Sequence, residues 1–310
     1  MNLLQNTVAR LTGKEASLFC ASGTLSNQLA IRSHLMQPPY TVLCDSRAHI
    51  LNYEATGISF HCGAGVIPVS PKEGLSYITA DLVEQNLVVD DDIHNGPTQL
   101  ICLENTLNGT IMPLEEVRKI SAVAKRHNLP LHLDGARLWN ATVATGKSLE
   151  EHCEPFDSVS LCFSKGMGAP IGSILVGSHK LIKKARHFRK LYGGGWRQAG
   201  MLASACLYSM ENIWPLMRHD HDNAAFLASG LTNLGFALAY PAETNMVWVD
   251  ASPLGLTADD LEVVFREHGI RMFGGSSTHF RWVIHHKVSR EDVNFMLSII
   301  KRFLDSKKEE

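Results

Sequence analysis

Charge of one sign is what this 310-residue chain most plainly lacks: 29 Lys and Arg face 31 Asp and Glu, a formal net charge of −2. That balance offers no basic surface of the kind nucleic acid or an anionic membrane would need. No stretch is long or apolar enough to span a bilayer. The N-terminus shows no charged segment running into an apolar one, so a cytoplasmic location is expected. Pairs of the CxxC type are missing too. The seven cysteines (Cys20, Cys44, Cys62, Cys102, Cys153, Cys162 and Cys206) are scattered, several within apolar runs. They read as buried free thiols rather than a disulfide framework or a zinc site. No metal is expected, and neither repeats nor low-complexity segments occur.

Present instead is a regular alternation. Apolar runs at Ala16–Ala21, Thr41–Cys44, Val66–Val69, Gln99–Leu103, Leu129–Leu133, Val159–Phe163 and Ser173–Val176 read as strands. Helical patterns separate many of them, after 22–27 to about 35, at 80–87 and at 114–126. Such alternation predicts an α/β fold with a mostly parallel sheet, its ligand lying outside the carboxyl ends of the strands. Long helices are expected at 179–192, 198–217 and 222–234. Strands at 245–249 and 280–284, with helices at 258–267 and 291–304, then predict a smaller α+β domain. The expected division is 1–220 and 221–310. His285 and His286 are read as structural, because adjacent strand residues point to opposite faces.

Two ionisable groups stand out at strand ends. Lys165 follows the apolar run Val159–Phe163 and opens a glycine-studded turn, Lys-Gly-Met-Gly-Ala-Pro-Ile-Gly172. Removing an ammonium from water is costly, and a desolvated lysine becomes a carbonyl nucleophile. Asp134 follows Leu129-Pro-Leu-His-Leu133 in the same way. A third feature, Ser22-Gly-Thr-Leu-Ser-Asn27, places glycine and hydroxyl residues where a strand turns into a helix, a natural anion cradle. Taken singly, these read as a snorkelling lysine, a helix cap and another cap. Together they match what pyridoxal 5'-phosphate requires: a lysine for its aldehyde, an acid for its ring nitrogen and a cup for its phosphate.

The segments Leu131-His-Leu-Asp-Gly-Ala-Arg-Leu-Trp-Asn140 and Ser160-Leu-Cys-Phe-Ser-Lys-Gly-Met-Gly-Ala-Pro-Ile-Gly-Ser173 resemble the two signature blocks of the L-threonine aldolases. Further blocks agree in order along the chain: 22–27, Asp45-Ser-Arg-Ala-His49 with Tyr53, Leu103-Glu-Asn-Thr106, Gly193-Gly-Gly-Trp-Arg-Gln198 and Arg281-Trp-Val-Ile-His285. The resemblance implies the aspartate aminotransferase-like fold type I, with a seven-stranded-type sheet in the large domain. It implies Lys165 as the residue that binds the cofactor covalently and Asp134 as the partner of its ring nitrogen. Gly23 and Thr24 would bind the phosphate, and Arg197 would reach a phosphate across a dimer interface. His49 would stack on the ring and serve as base toward the substrate's β-hydroxyl, with Tyr53 nearby. Arg137 and Arg281 would hold the substrate carboxylate. Glycines 166, 168 and 172 would let a flat ring lie against the backbone.

The activity so implied is cleavage of L-threonine, L-allo-threonine and similar β-hydroxy-α-amino acids to glycine and an aldehyde. A homodimer or homotetramer is expected with it. Amino-acid racemisation on the same fold and a truncated, non-catalytic relative are the alternatives. Two departures from the family pattern stand out. Leu107 and Asn108 follow the Asn-Thr pair where the family commonly has histidine, which bears on threo/erythro preference. The family's usual Arg-Ser-Asp-Thr opening is also missing ahead of the first helix, which bears on substrate binding and dimer packing.

Overall fold

The structure, a computed structural model, describes residues 1–90 and 92–309. They form two compact units, one of Met1–Leu107 with Ile111–Pro215, the other of Asn108–Thr110 with Leu216–Glu310. The first unit opens with α1 (Asn2–Leu11), β1 (Ala16–Cys20), α2 (Gly23–His34) and β2 (Thr41–Asp45). Next come α3 (His49–Asn52), α4 (Gly57–Cys62), β3 (Gly65–Val69), α5 (Ala80–Asn86) and β4 (Thr98–Glu104). After α6 (Leu114–Arg126) and β5 (Leu131–Gly135) stand α7 (Leu138–Thr145), α8 (Leu149–Cys153), β6 (Ser158–Cys162) and β7 (Ser173–Gly177). α9 (His179–Leu191) and α10 (Gly200–Asn212) complete it.

A seven-stranded sheet in the order β1-β7-β6-β5-β4-β2-β3 is the framework. Its strands are parallel except β7, which runs antiparallel to both β6 and β1. β5, β6 and β7 are buried along their whole length, their polar residues included. α6 shows how a flanking helix is written into sequence. Val117, Ile120, Val123 and Ala124 form its buried face. Glu115 and Glu116 sit at its positive end, Lys125 and Arg126 at its negative end. All seven cysteines are buried and free.

The second unit holds α11 (Met217–Asn233), β8 (Ala237–Leu238), β9 (Met246–Asp250), α12 (Ala258–Glu267), β10 (His279–Val283) and α13 (Arg290–Glu309). Its three-stranded sheet, order β10-β9-β8, is antiparallel. Leu227, Leu231, Val247, Val249, Leu261 and Phe265 lie in its apolar core. The tripeptide 108–110 joins this unit through specific bonds. Trp248 Nε1 donates to the Asn108 carbonyl at 2.8 Å, and Thr244 Oγ1 to that of Gly109 at 2.7 Å. Gly109 has φ +84°, and a Cβ there would stand 2.7 Å from that of Met246.

Two expectations are corrected. The helix expected over 198–217 ends at Asn212, followed by a tight 3-10 turn at Trp214–Leu216. Pro215 has no N–H to continue an α-helix, so the chain restarts as α11 at Met217. β5 also runs later than its apolar stretch, from Leu131 to Gly135, which puts Asp134 within the strand rather than beyond it. The two compact units meet in the chain at Pro215/Leu216, near the expected 220/221, and nothing in the local pattern of 108–110 marks the tripeptide's allegiance.

One buried polar ladder crosses the sheet. His132 of β5 is the register neighbour of Ser158 of β6, and neither is exposed at all. Ser158 Oγ lies 2.8 Å from His132 Nδ1 and 2.8 Å from Nε2 of His34, the last residue of α2. Burial, with the His34 charge adding, pushes His132 down to about 3 from the usual 6.5. Burial likewise takes His34 down to about 4. The unfolded imidazoles therefore bind protons as pH falls through 6.5 while the folded ones stay neutral, and their contribution to stability is lost in that window. We expect His132→Gln to cost about 1–3 kcal/mol near pH 7.5, and that deficit to shrink by about 2 kcal/mol near pH 5. Urea midpoints of both proteins at the two pH values measure this. A deficit independent of pH would contradict it.

Candidate active site

Parallel registry brings acidic side chains together at the carboxyl ends of the central strands. Glu104, closing β4, pairs in register with Asp134 of β5, which in turn neighbours Ser160 of β6. Asp134 is 3% exposed, and both its oxygens accept hydrogen bonds. Oδ1 takes the Ala136 N–H at 3.1 Å and Oδ2 the Asn27 side-chain amide at 2.8 Å. Glu104 is treated differently. Burial pushes its carboxyl up to about 8 and the Asp134 charge adds to the rise. The His49 N–H bonded to its Oε2 at 2.7 Å, Lys165 and Arg137 oppose it. Burial thus biases Glu104 toward its protonated form.

Lys165 lies two residues beyond Phe163, half-buried, its carbonyl accepting from Gly168 N at 2.8 Å. Its charge and that of Arg137, at the start of α7, reach Glu104 and the Cys162 thiol. Burial raises that thiol, and Lys165 is the largest influence opposing the rise. Lys165, Arg137, Asp134 and Glu104 thus occupy one electrostatic neighbourhood.

His49 begins α3, and 37% of its side chain is exposed, enough for a ligand to reach the ring. Its Nδ1 lies 2.9 Å from Glu54 Oε1, and its ring is 5.7 Å from that of the exposed Tyr53. Glu54 Oε1 also accepts from Asn27 Nδ2 at 2.9 Å, and Oε2 from Gln28 Nε2 at 2.7 Å. One Asn27 amide therefore bridges Glu54 and Asp134. Ligand atoms of His49, Glu54 and Asp134 fall within 4.8 Å of one another, the kind of cluster that can hold a metal. Here the Asn27 amide hydrogens point at both carboxylates, which makes it a hydrogen-bond cluster.

Gly23 and Thr24 open the twelve-residue α2, capped by Ser22, whose side chain accepts from Leu25 N. Their amides precede the first bond within the helix, where helix geometry supplies no acceptor. A Cβ on Gly23 would stand 2.9 Å from Cys162 Sγ, so only glycine lets the turn lie this close to β6. Arg197 is exposed on the segment between α9 and α10. Arg281 belongs to the second unit, its guanidinium 5.5 Å from the centre of the Trp248 ring. Leu107 is buried, and Asn108 takes φ +54° where it joins the second unit. Gly172 has a reason of its own to be glycine: its φ is +113°, and a Cβ would stand 2.5 Å from Phe19 Cε2. Its bareness already has a reason in the packing against β1.

Sequence reading missed three participants. Asn27 and Glu104 lie inside quoted blocks but carried no role. Glu54 had no signal beyond following Tyr53, because its importance arises only when α2 is laid beside it.

These residues fit pyridoxal phosphate. A half-buried lysine, a pinned carboxylate and a glycine-led helix start are the donor set it needs. The Thr106 hydroxyl, 2% exposed and close in sequence to Glu104, has no hydrogen-bond partner among the described residues. A bound group could satisfy it.

Comparison with known proteins agrees with the geometry. The beta-eliminating lyase family model matches residues 1–253. A low-specificity L-threonine aldolase of Saccharomyces cerevisiae is 46% identical over 308 residues, spanning 99% of this chain and 78% of the relative. An alanine racemase of Cochliobolus carbonum, TOXG, is 33% identical over 305 residues, spanning 96% and 77%. Among solved structures, a threonine aldolase of Leishmania major superposes with TM-score 0.82 at 21% identity, covering 97% of this chain and 88% of the other. Aspartate aminotransferase of Thermus thermophilus does so with TM-score 0.70 at 15% identity, covering 96% and 79%. At those identities the structures speak for the fold alone, which is the aspartate aminotransferase-like one. A family model spanning most of the residues, and a relative at nearly half identity along almost the whole chain, leave one placement: this chain belongs to the beta-eliminating lyase family, among its L-threonine aldolases.

Proposed function

We propose that this chain is a pyridoxal-phosphate-dependent aldehyde lyase that cleaves L-threonine, L-allo-threonine and related β-hydroxy-α-amino acids to glycine and an aldehyde. The observation that carries the reading is the gathering of Lys165, Asp134 and His49 toward the carboxyl ends of β6, β5 and β2 in one sheet, around a carboxylate already held on both oxygens. When bound, the cofactor supplies a sink for the electron pair released at Cα. The protein's own contributions divide as follows.

Lys165 is the residue proposed to hold the cofactor's aldehyde, and Asp134 to face its ring nitrogen. Gly23 and Thr24 are proposed for its phosphate, through amides at the positive end of α2. His49 is proposed as the group that lies on the ring and takes the β-hydroxyl proton, with Tyr53 beside it. Arg137 is proposed for the substrate carboxylate, a task suited to a planar guanidinium. From the resemblance, Arg281 is proposed for the same carboxylate, and Arg197 for the phosphate of a second copy in a homodimer or homotetramer. No helix among the described residues is long and apolar enough to cross a membrane, and a cytoplasmic location is proposed.

Racemisation is the second reading, favoured by the 33% identity to the racemase. It needs proton transfer at Cα without carbon–carbon cleavage. Purified protein given L-threonine should yield acetaldehyde and glycine in equal amounts, and given L-alanine should yield no D-alanine. The reverse pattern would install the second reading.

Site assignments are tested separately. Borohydride should fix the cofactor to the peptide containing Lys165, and Lys165→Ala should abolish that label; a label on another lysine would refute the assignment. Asp134→Ala should lose cleavage far more than Asp134→Glu, and equal activities would speak against a role at the ring nitrogen. His49→Ala should reduce kcat roughly 10²–10⁴-fold if His49 is the base. A loss under about threefold would remove it from that role.

A further inference from the structure

The hydrogen bonds around Glu54 fix more than its own position. Glu54 follows Tyr53, and its side chain is 0% exposed. Three donors converge on it: His49 Nδ1 and Asn27 Nδ2 on Oε1, and Gln28 Nε2 on Oε2. The polarity of this network can be worked out from one residue. Asn27 turns a single nitrogen toward two carboxylates, Glu54 at 2.9 Å and Asp134 at 2.8 Å. Only the NH₂ end of an amide can satisfy both, since its oxygen there would face two acceptors. Asn27 Oδ1 is thereby committed as an acceptor toward His132 Nε2, 3.2 Å away. His132 must then donate from Nε2 and accept at Nδ1, which the Ser158 hydroxyl supplies. The orientation of Asn27 is thus locked from behind.

The consequence runs forward to His49. With Oε1 of Glu54 an acceptor, His49 Nδ1 carries a hydrogen, and in the neutral ring Nε2 is the nitrogen left with the lone pair. The backbone of the same residue is fixed independently, by its N–H on Glu104 Oε2 at 2.7 Å. Ring and backbone are therefore held from two sides by two different carboxyl groups.

We propose that Glu54 is a positioning residue for His49, setting its Nδ1–H tautomer so that Nε2 takes the proton from a substrate β-hydroxyl, and that Asn27 ties this setting to Asp134. The assignment of a substrate rests on the reading of the previous subsection; the tautomer does not. The proton leaves the hydroxyl oxygen for Nε2, and the imidazolium so formed stands against the Glu54 carboxylate, which offsets its charge in a buried place. This is the logic of a base oriented by a third group.

The test uses the full-length protein labelled with ¹⁵N-histidine, as purified with cofactor and again after its removal. The His49 ring signals are assigned by their disappearance in His49→Gln. The wild-type protein should show the proton on Nδ1. Glu54→Gln should lose that preference and lower kcat about 10²-fold with KM changed by less than about threefold, and Glu54→Asp should recover part of both. A wild-type ring protonated at Nε2 would overturn the proposal without any variant, so a variant that fails to fold does not shelter it. An unchanged tautomer in Glu54→Gln would overturn it as well. If the wild-type protein shows the expected tautomer but does not cleave L-threonine, the substrate reading fails while the Glu54–His49 assignment stands.

Discussion

A single side-chain amide placed between two buried carboxylates is the constraint on which the site depends. Buried acids are tolerated only when donors meet their oxygens, and Asn27 serves Glu54 and Asp134 at once. That requirement fixes α2 relative to the strand ends, because Asn27 and Gln28 are consecutive residues on its buried face. It also explains why the helix starts where it does. Ser22 caps the helix just after β1, so the turn that points Asn27 inward is the one that presents the Gly23 and Thr24 amides. The helix start proposed for the phosphate and the acid clamp thus lie within two turns of one element.

Parallel registry supplies the complementary tension. Glu104 and Asp134 are direct neighbours on adjacent strands, about 5 Å apart at the backbone. The protein resolves this by unequal provision. Asp134 receives donors on both oxygens, whereas Glu104 receives one backbone N–H and the more distant help of Lys165 and Arg137. Two acids of similar chemistry are thereby provided for differently within one cleft, and burial shows in the raised Glu104 carboxyl.

Much of this was legible in the sequence, for identifiable reasons. Long periodic or apolar segments such as Leu114–Arg126 and Ala258–Glu267 carry their own boundaries, and structure and pattern coincide there. Lys165 and Asp134 were visible because an ionisable residue interrupts an apolar run. Glu54 was not, since nothing local marks a glutamate whose three partners come from positions 27, 28 and 49. The break at Pro215 was missed because the apolar periodicity of α10 runs on past the residue that stops it. Gly172 shows a demand the pattern could not reveal: Phe19 packs where its Cβ would be.

The tripeptide 108–110 gives the smaller unit a split pedigree. Its acceptors for Trp248 and Thr244 are made more than a hundred residues before those side chains leave the ribosome. Cutting the chain at Pro215 would therefore not release a self-sufficient module, since the excised piece would carry an indole and a hydroxyl whose partners stayed behind. A transplant of this unit would have to carry 108–110 with it to keep those two bonds.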